Sequence, residues 1–159
     1  MLAVIGCGNT NRSDDGVGSA VIETLRKHHL PEGTVLFDAG TDGMSVMYQA
    51  RGLTGLIIVD AKVPEGNPGS IFAVPGNVLA KPPNASFNLH DFRWDHALHA
   101  GKQIYKDEFP EQIKVFLIEA QSLELGIGLS APVTKAVDTV ALQISEIAKA
   151  FVADREFSS

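Results

Sequence analysis

The sequence predicts a three-layer α/β/α protein, with helices on both faces of a central, mostly parallel sheet of five strands. Apolar, β-rich runs alternate with amphipathic segments along the chain, which is typical of strands joined by right-handed crossover connections. Three of the runs are apolar almost throughout, which indicates strands buried on both faces. The length of 159 residues is close to the commonest domain size, so we expect a single domain over residues 1–159.

The predicted strands are short runs of aliphatic and β-branched residues. They lie at residues 2–6, 34–40, 53–61, 69–74 and 113–120. The first, third and fifth runs are the most continuously apolar, so we expect them at the centre of the sheet.

The predicted helices are segments in which apolar residues recur at helical spacing. They lie at residues 15–30, 44–51 and 91–106, and a last one follows Ser130. The last helix is the strongest, with Ser130 as a candidate cap and Pro132 in its first turn. Residues 74–88 are rich in proline, glycine and asparagine, which predicts an extended surface loop within the domain.

Composition excludes several classes of function. The net charge is −6, from 13 basic and 19 acidic residues, which gives no electrostatic footprint for nucleic acid or an anionic membrane. No run approaches the roughly 18 apolar residues of a membrane span, and the first residues lack signal-peptide features. The single cysteine excludes an internal disulfide framework and agrees with a reducing compartment. We therefore expect a cytoplasmic monomer that binds neither nucleic acid nor membrane.

The first strand leads into a glycine-rich turn, "GCGNTNRSDDGVG", at residues 6–18. A dinucleotide fingerprint would need a third glycine where the chain has Asn11. A P-loop would need a Gly-Lys-Ser/Thr sequence, which the turn lacks. A calcium loop starting at Asn9 would need Gly and Glu where the chain has Asp14 and Ala20. All three templates fail.

The turn instead presents two adjacent carboxylates, Asp14 and Asp15, at the start of a predicted helix. They would compete with a bound anion for the backbone N–H groups there, so the turn suits a cation better. Capping of the helix is the commonest use of aspartate at this place. One cap accounts for one aspartate, and the second needs another explanation.

Asp60 and His90 complete a candidate metal site with Asp15. Asp60 ends the apolar third strand, so we expect its carboxylate at the same edge of the sheet as the glycine turn. His90, in "NLHDF", lies at the beginning of the next helix. Taken singly, Asp60 can be a turn residue and His90 a surface residue. Together, two carboxylates and one imidazole suit a divalent transition metal better than Mg²⁺ or Ca²⁺, and they lack the thiolates of a structural zinc site.

Several motifs in order resemble the nickel-iron hydrogenase maturation endopeptidases, which remove a short carboxy-terminal extension from the hydrogenase large subunit once nickel has been inserted. These motifs are the opening "GCGNTNRSDDGVG", "DAGTDGM", "LIIVDA" followed by "GNPGSIF", the His90 segment and "IEAQSLELGIGLSAPV". The resemblance implies that Asp15, Asp60 and His90 bind the metal. It also implies that the metal is nickel carried by the substrate, the hydrogenase large-subunit precursor, although other divalent metals can occupy such a site. His96 lies six residues beyond His90, on a different helical face, and could replace it only if the helix starts elsewhere.

Peptide hydrolysis also needs a base for the attacking water, and Asp38 is the candidate because it lies at the end of the second strand. The adjacent loop of Gly40, Thr41, Asp42 and Gly43 is expected to contact the substrate, since resembling loops in the family contribute to recognition. Both assignments have a local alternative, in which Asp38 forms a turn and the loop only leads into the next helix. Cys7 is a poor nucleophile, because neighbouring aspartates disfavour its thiolate, and we expect a packing residue.

Three functions remain open on the sequence. An endopeptidase acting on one protein partner is the leading hypothesis. A non-enzymatic metal-binding or chaperone module for the nickel-loaded subunit is the alternative, and a nucleotide-binding α/β protein is the third.

Overall fold

The computed structural model describes residues 1–75 and 89–158, and the side chains of residues 1–75 and 97–153. The strands are β1 (Leu2–Cys7), β2 (Thr34–Gly40), β3 (Gly55–Lys62), β4 (Ile71–Pro75) and β5 (Gln112–Glu119). The helices are α1 (Val17–Leu25), α2 (Gly43–Ala50), α3 (Leu89–Tyr105) and α4 (Ala131–Ser158), with 3₁₀ turns at Ser13–Gly16 and Lys106–Glu108. The predicted surface loop lies, after Pro75, outside the described residues.

The five strands form one sheet in the order β2-β1-β3-β5-β4. Strands β2, β1, β3 and β5 run parallel, and β4 pairs antiparallel with β5. The predicted fold class is confirmed, and the three most apolar runs are the central strands β1, β3 and β5. Parallel strands end at a common carboxyl edge, where Cys7 and Lys62 lie.

Side chains alternate between the two faces of the sheet, and each face carries a separate apolar core. Helices α1 and α4 cover one face, where Val4 and Val59 are fully buried. Helices α2 and α3 cover the other face, where Ile5 and Ile58 are fully buried. Alternation along β3 places Asp60 on the same face as Ile58.

Helix α1 is shorter than predicted at both ends. The prediction of residues 15–30 is wrong because residues 13–16 form a 3₁₀ turn and the helix ends at Leu25. Beyond Leu25 the backbone tightens, with the N–H groups of Lys27 and His28 bonded to carbonyls three residues back. The fully buried positions also stop at Leu25, since residues 26–30 are exposed or only partly buried.

The other elements match the prediction to within two residues at each end, except that only the start of α4 was predicted. Among the described residues, no helix combines the length and apolarity needed to cross a membrane.

Candidate active site

The glycine-rich turn at residues 6–18, which we call the opening turn, allows close backbone packing at the carboxyl edge. Gly8 has a φ of 131°, and a Cβ there would overlap the Asp15 carbonyl oxygen. A Cβ on Gly18 would overlap the Cys7 carbonyl oxygen and lie 2.7 Å from that of Val59. The first turn of α1 therefore rests directly on the ends of β1 and β3. This packing, rather than a phosphate, explains the glycines.

Asp15 and Asp60 are both buried near this edge. Each is 1% exposed. One Asp15 carboxylate oxygen, Oδ2, accepts a hydrogen bond from the Asn9 backbone N–H at 2.8 Å. Asp60 Oδ1 accepts one from the Ala61 N–H at 2.8 Å. Gly18, three residues after Asp15, packs on Val59, the residue directly before Asp60. The two carboxylates therefore belong to adjoining parts of one edge.

Asp14 holds a distant loop against the opening turn. Its carboxylate accepts hydrogen bonds from the Ser130 N–H at 2.7 Å, the Ser130 hydroxyl at 2.8 Å and the Gln121 N–H at 2.7 Å. We call residues 121–130 the clamped loop. Asp14 is 1% exposed, so these bonds are shielded from water.

The capping interpretation is wrong for both aspartates. The 3₁₀ turn and α1 each begin without a hydrogen bond from a capping side chain. Ser130 precedes α4 as predicted, but its hydroxyl donates to Asp14. Sequence reasoning missed this clamp, because its two sides lie more than a hundred residues apart along the chain.

His90 is the second residue of α3, and its side chain lies outside those described. The 17 residues of α3 span about 25 Å. The helix ends at Tyr105, just before β5 starts at the amino edge, so its first turn lies toward the carboxyl edge. Because the helix starts at Leu89, His96 stays on a different helical face.

Binding of one metal ion by Asp15, Asp60 and His90 together therefore stays a prediction. In residues 1–75 and 97–153, whose side chains are described, no group of three or more His, Cys, Asp or Glu side chains could hold a metal ion. Of the predicted ligands, Asp15 and Asp60 are the two whose side chains are described.

Asp38 lies in β2, beside Gly6 of β1, and is exposed. Its Oδ2 accepts a hydrogen bond from the Ser19 hydroxyl at 2.5 Å, and its Oδ1 accepts one from the Gly40 N–H at 3.0 Å. The carboxylate borders an open polar depression of about 360 Å³ between the ends of β1 and β2. The residues lining it are Gly8, Asn9, Thr10, Asp38, Ala39, Gly40 and Thr41.

The loop after β2 divides into two parts. Gly40 and Thr41 line the depression. Asp42 caps α2, accepting hydrogen bonds from the N–H groups of Met44 and Ser45 and from the Ser45 hydroxyl. The hydroxyl bond is the main reason that the pKa of Asp42 is lowered; desolvation opposes it, and the two backbone bonds add to the lowering. Asp42 and Gly43 thus serve the start of α2, and a contact with substrate stays a prediction for both.

Cys7 is 2% exposed and packs in the core under α2 and α3. A buried position suits the predicted packing role better than attack on a substrate.

Known proteins share both the sequence pattern and this fold. The family model described as hydrogenase maturation protease matches residues 19–147, well over half of the chain. The chain belongs to the hydrogenase maturation proteases. A Methanocaldococcus jannaschii protein assigned to the same proteases is 30% identical over 156 residues, which cover 93% of this chain and 97% of that protein.

Two Escherichia coli proteins extend the comparison. The hydrogenase 2 maturation protease is 26% identical over 145 residues, covering 90% of this chain and 87% of that protein. The structure of the hydrogenase-maturating endopeptidase HybD superposes with a TM-score of 0.79 at 26% identity, covering 90% of this chain and 88% of that one. The predicted resemblance and the predicted enzyme class, a peptide hydrolase, are confirmed. The chaperone and nucleotide-binding hypotheses are thereby set aside.

Proposed function

We propose that this protease removes the carboxy-terminal extension of a nickel-iron hydrogenase large-subunit precursor after nickel insertion, and that Asp15, Asp60 and His90 recognise the nickel of the precursor. The observation that carries the proposal is the pair of buried carboxylates at one edge of the sheet in a hydrogenase maturation protease. The composition of the chain favours a cytoplasmic monomer.

The burial of two carboxylates favours a cation. Moving an ionised carboxylate out of water is costly unless its charge is compensated, and a divalent ion between Asp15 and Asp60 would compensate both. Asp60 lies on the sheet face that α3 covers, and α3 begins with the His90 turn toward the same edge. An imidazole from α3 would complete a mixed oxygen and nitrogen donor set suited to nickel.

Recognition of nickel would fix the position of the scissile bond. The depression beside β2 would then receive the peptide, with the backbone of Gly40 and Thr41 in contact with it. Asp38 would accept a proton from water as the water oxygen bonds to the scissile carbonyl carbon, and would return the proton to the leaving amine. The Ser19 hydroxyl would hold one oxygen of Asp38 and leave the carboxylate oriented.

Cleavage of nickel-loaded precursor tests the proposed recognition of nickel by Asp15, Asp60 and His90. Wild type should convert the precursor to a discrete shorter form on a denaturing gel, whereas Asp15→Asn, Asp60→Asn and His90→Gln should not. Asp138→Asn and His29→Gln, which change exposed side chains, are matched controls and should cleave normally. Normal cleavage by all three site variants would show that the site lies elsewhere.

Asp38→Asn tests the base. Loss of a general base lowers kcat by roughly 10²- to 10⁴-fold, so single-turnover cleavage should slow by that factor while precursor affinity is retained. Asp107→Asn, an exposed aspartate near the amino edge, is the control. An unchanged kcat in Asp38→Asn would assign proton transfer to another group.

A further inference from the structure

The clamped loop carries two aliphatic side chains that stand in solvent. Leu125 is 80% exposed and Ile127 is 92% exposed, the highest values for large hydrophobic residues among the described side chains. Single exposed aliphatic residues are common on protein surfaces. A pair on one loop apex, separated only by Gly126, calls for a function.

Hydrogen bonds fix this apex along its length. Ser13 donates its N–H to the Gly126 carbonyl at 2.8 Å, and Gly126 donates its own to the Asn11 carbonyl at 2.9 Å. The Ser13 hydroxyl donates to the Glu124 carbonyl at 2.8 Å, and Arg12 Nε donates to the Leu123 carbonyl at 3.1 Å. The backbone that carries Leu125 and Ile127 is therefore ordered in the free protein, which lowers the entropic cost of binding through it.

The same bonds place the apex beside the proposed site. Residues 11–14, which hold the loop, directly precede Asp15. A precursor whose nickel is held by Asp15 would lie next to the opening turn, to which the apex is hydrogen-bonded. Two aliphatic side chains cannot supply the ~800 Å² per partner of a stable dimer interface. They can add a contact to a substrate that the site already holds.

We infer that Leu125 and Ile127 dock into an apolar cleft of the hydrogenase large-subunit precursor, next to its carboxy-terminal extension. The inference rests on the proposed function for the identity of the partner. The two side chains would recognise the precursor separately from the proposed nickel ligands. Burying the apolar surface of two exposed aliphatic side chains in a partner pocket removes that surface from water, which favours binding.

The double variant Leu125→Ser/Ile127→Ser tests this inference. The KM for cleavage of nickel-loaded precursor should rise at least tenfold, with kcat within about twofold of wild type. The Kd for the precursor, measured by biolayer interferometry, should rise by the same factor. The matched control is Ile104→Ser/Leu142→Ser, which removes an isoleucine and a leucine that are 61% and 58% exposed on α3 and α4. Its KM and Kd should stay at the wild-type values.

Three results would overturn the inference. One is a KM and Kd within twofold of wild type in the apex variant, and another is an equal loss in the control. The third is a wild-type dimer in sedimentation that the apex variant dissociates, since a second copy would then cover the apex. Thermal unfolding checks the fold of each variant, and Ile127→Lys alone repeats the test if the double variant unfolds. If wild type binds the precursor through the apex without shortening it, docking holds and the proposed cleavage fails.

Discussion

Two neighbouring segments at the carboxyl edge are held in opposite ways. The turn after β1 contains Asp14 and Asp15, both buried, and Asp14 is bonded to a loop from the far end of the chain. The segment around the end of β2 contains Asp38 and Asp42, both exposed. Asp42 bonds to Met44 and Ser45 in the adjoining first turn of α2, and Asp38 bonds to Gly40 and to the Ser19 hydroxyl.

The difference suits the two tasks that we propose for this edge. A metal is bound most precisely by ligands that packing and hydrogen bonds fix beforehand, and the proposed ligand Asp15 is fixed in this way in the turn after β1. A peptide and a water molecule need an open surface, which the exposed segment after β2 provides. Variants that disturb the buried segment should therefore affect both stability and activity, and variants in the exposed segment should leave the fold nearly unchanged.

The largest effect is expected from Gly8→Ala. The new Cβ would overlap the Asp15 carbonyl oxygen at a φ that alanine rarely adopts, so we expect a loss of about 3 kcal/mol or more in the free energy of unfolding, together with loss of cleavage. Urea denaturation measures the loss. Gly66→Ala is the control, since Gly66 has a φ of 95° with open space around its Cβ position, and it should lose only about 1 to 2 kcal/mol. Equal losses in the two variants would show that packing on Asp15 is unimportant.

Asp14→Ala should have the next largest effect. It leaves the N–H groups of Gln121 and Ser130 without their acceptor, which we expect to cost about 2 kcal/mol and to release the clamped loop. Hydrogen exchange should show faster exchange at these two amides. Asp138→Ala, on the exposed face of α4, should change the free energy of unfolding by no more than about 0.5 kcal/mol. Unchanged protection at Ser130 in Asp14→Ala would contradict the clamp.

The smallest effect is expected from Asp42→Ala. The pKa of Asp42 is lowered in the folded protein from its ordinary value of 3.8, so the ionised cap stabilises the fold above that pH. This stabilisation is lost as the pH falls through the lowered pKa. The thermal midpoint of Asp42→Ala should be slightly below that of wild type at pH 6, and the difference should shrink below about pH 3.8. A difference that grows on acidification would contradict the sign of the shift.

The sequence predicted the sheet well because its strands are local runs with a distinct apolar character. The apolar run at residues 53–61 also correctly predicted that Asp60 lies near the carboxyl end of a central strand. The role of Asp14 could not be predicted, since its partners Gln121 and Ser130 are brought near only by the folded chain. The 3₁₀ turn escaped prediction for a related reason, because the N–H groups of Ser13 and Asp14 bond to carbonyls of Gly126 and Ser122 in the distant clamped loop.

The clamp between Asp14 and Ser130 also sets a condition on biosynthesis. The opening turn is made before the clamped loop, yet its Asp14 carboxylate cannot gain the two hydrogen bonds from Ser130 until that residue has left the ribosome. The turn therefore stays unfinished while the chain grows by 116 residues, and it acquires its final form only when α4 begins to emerge.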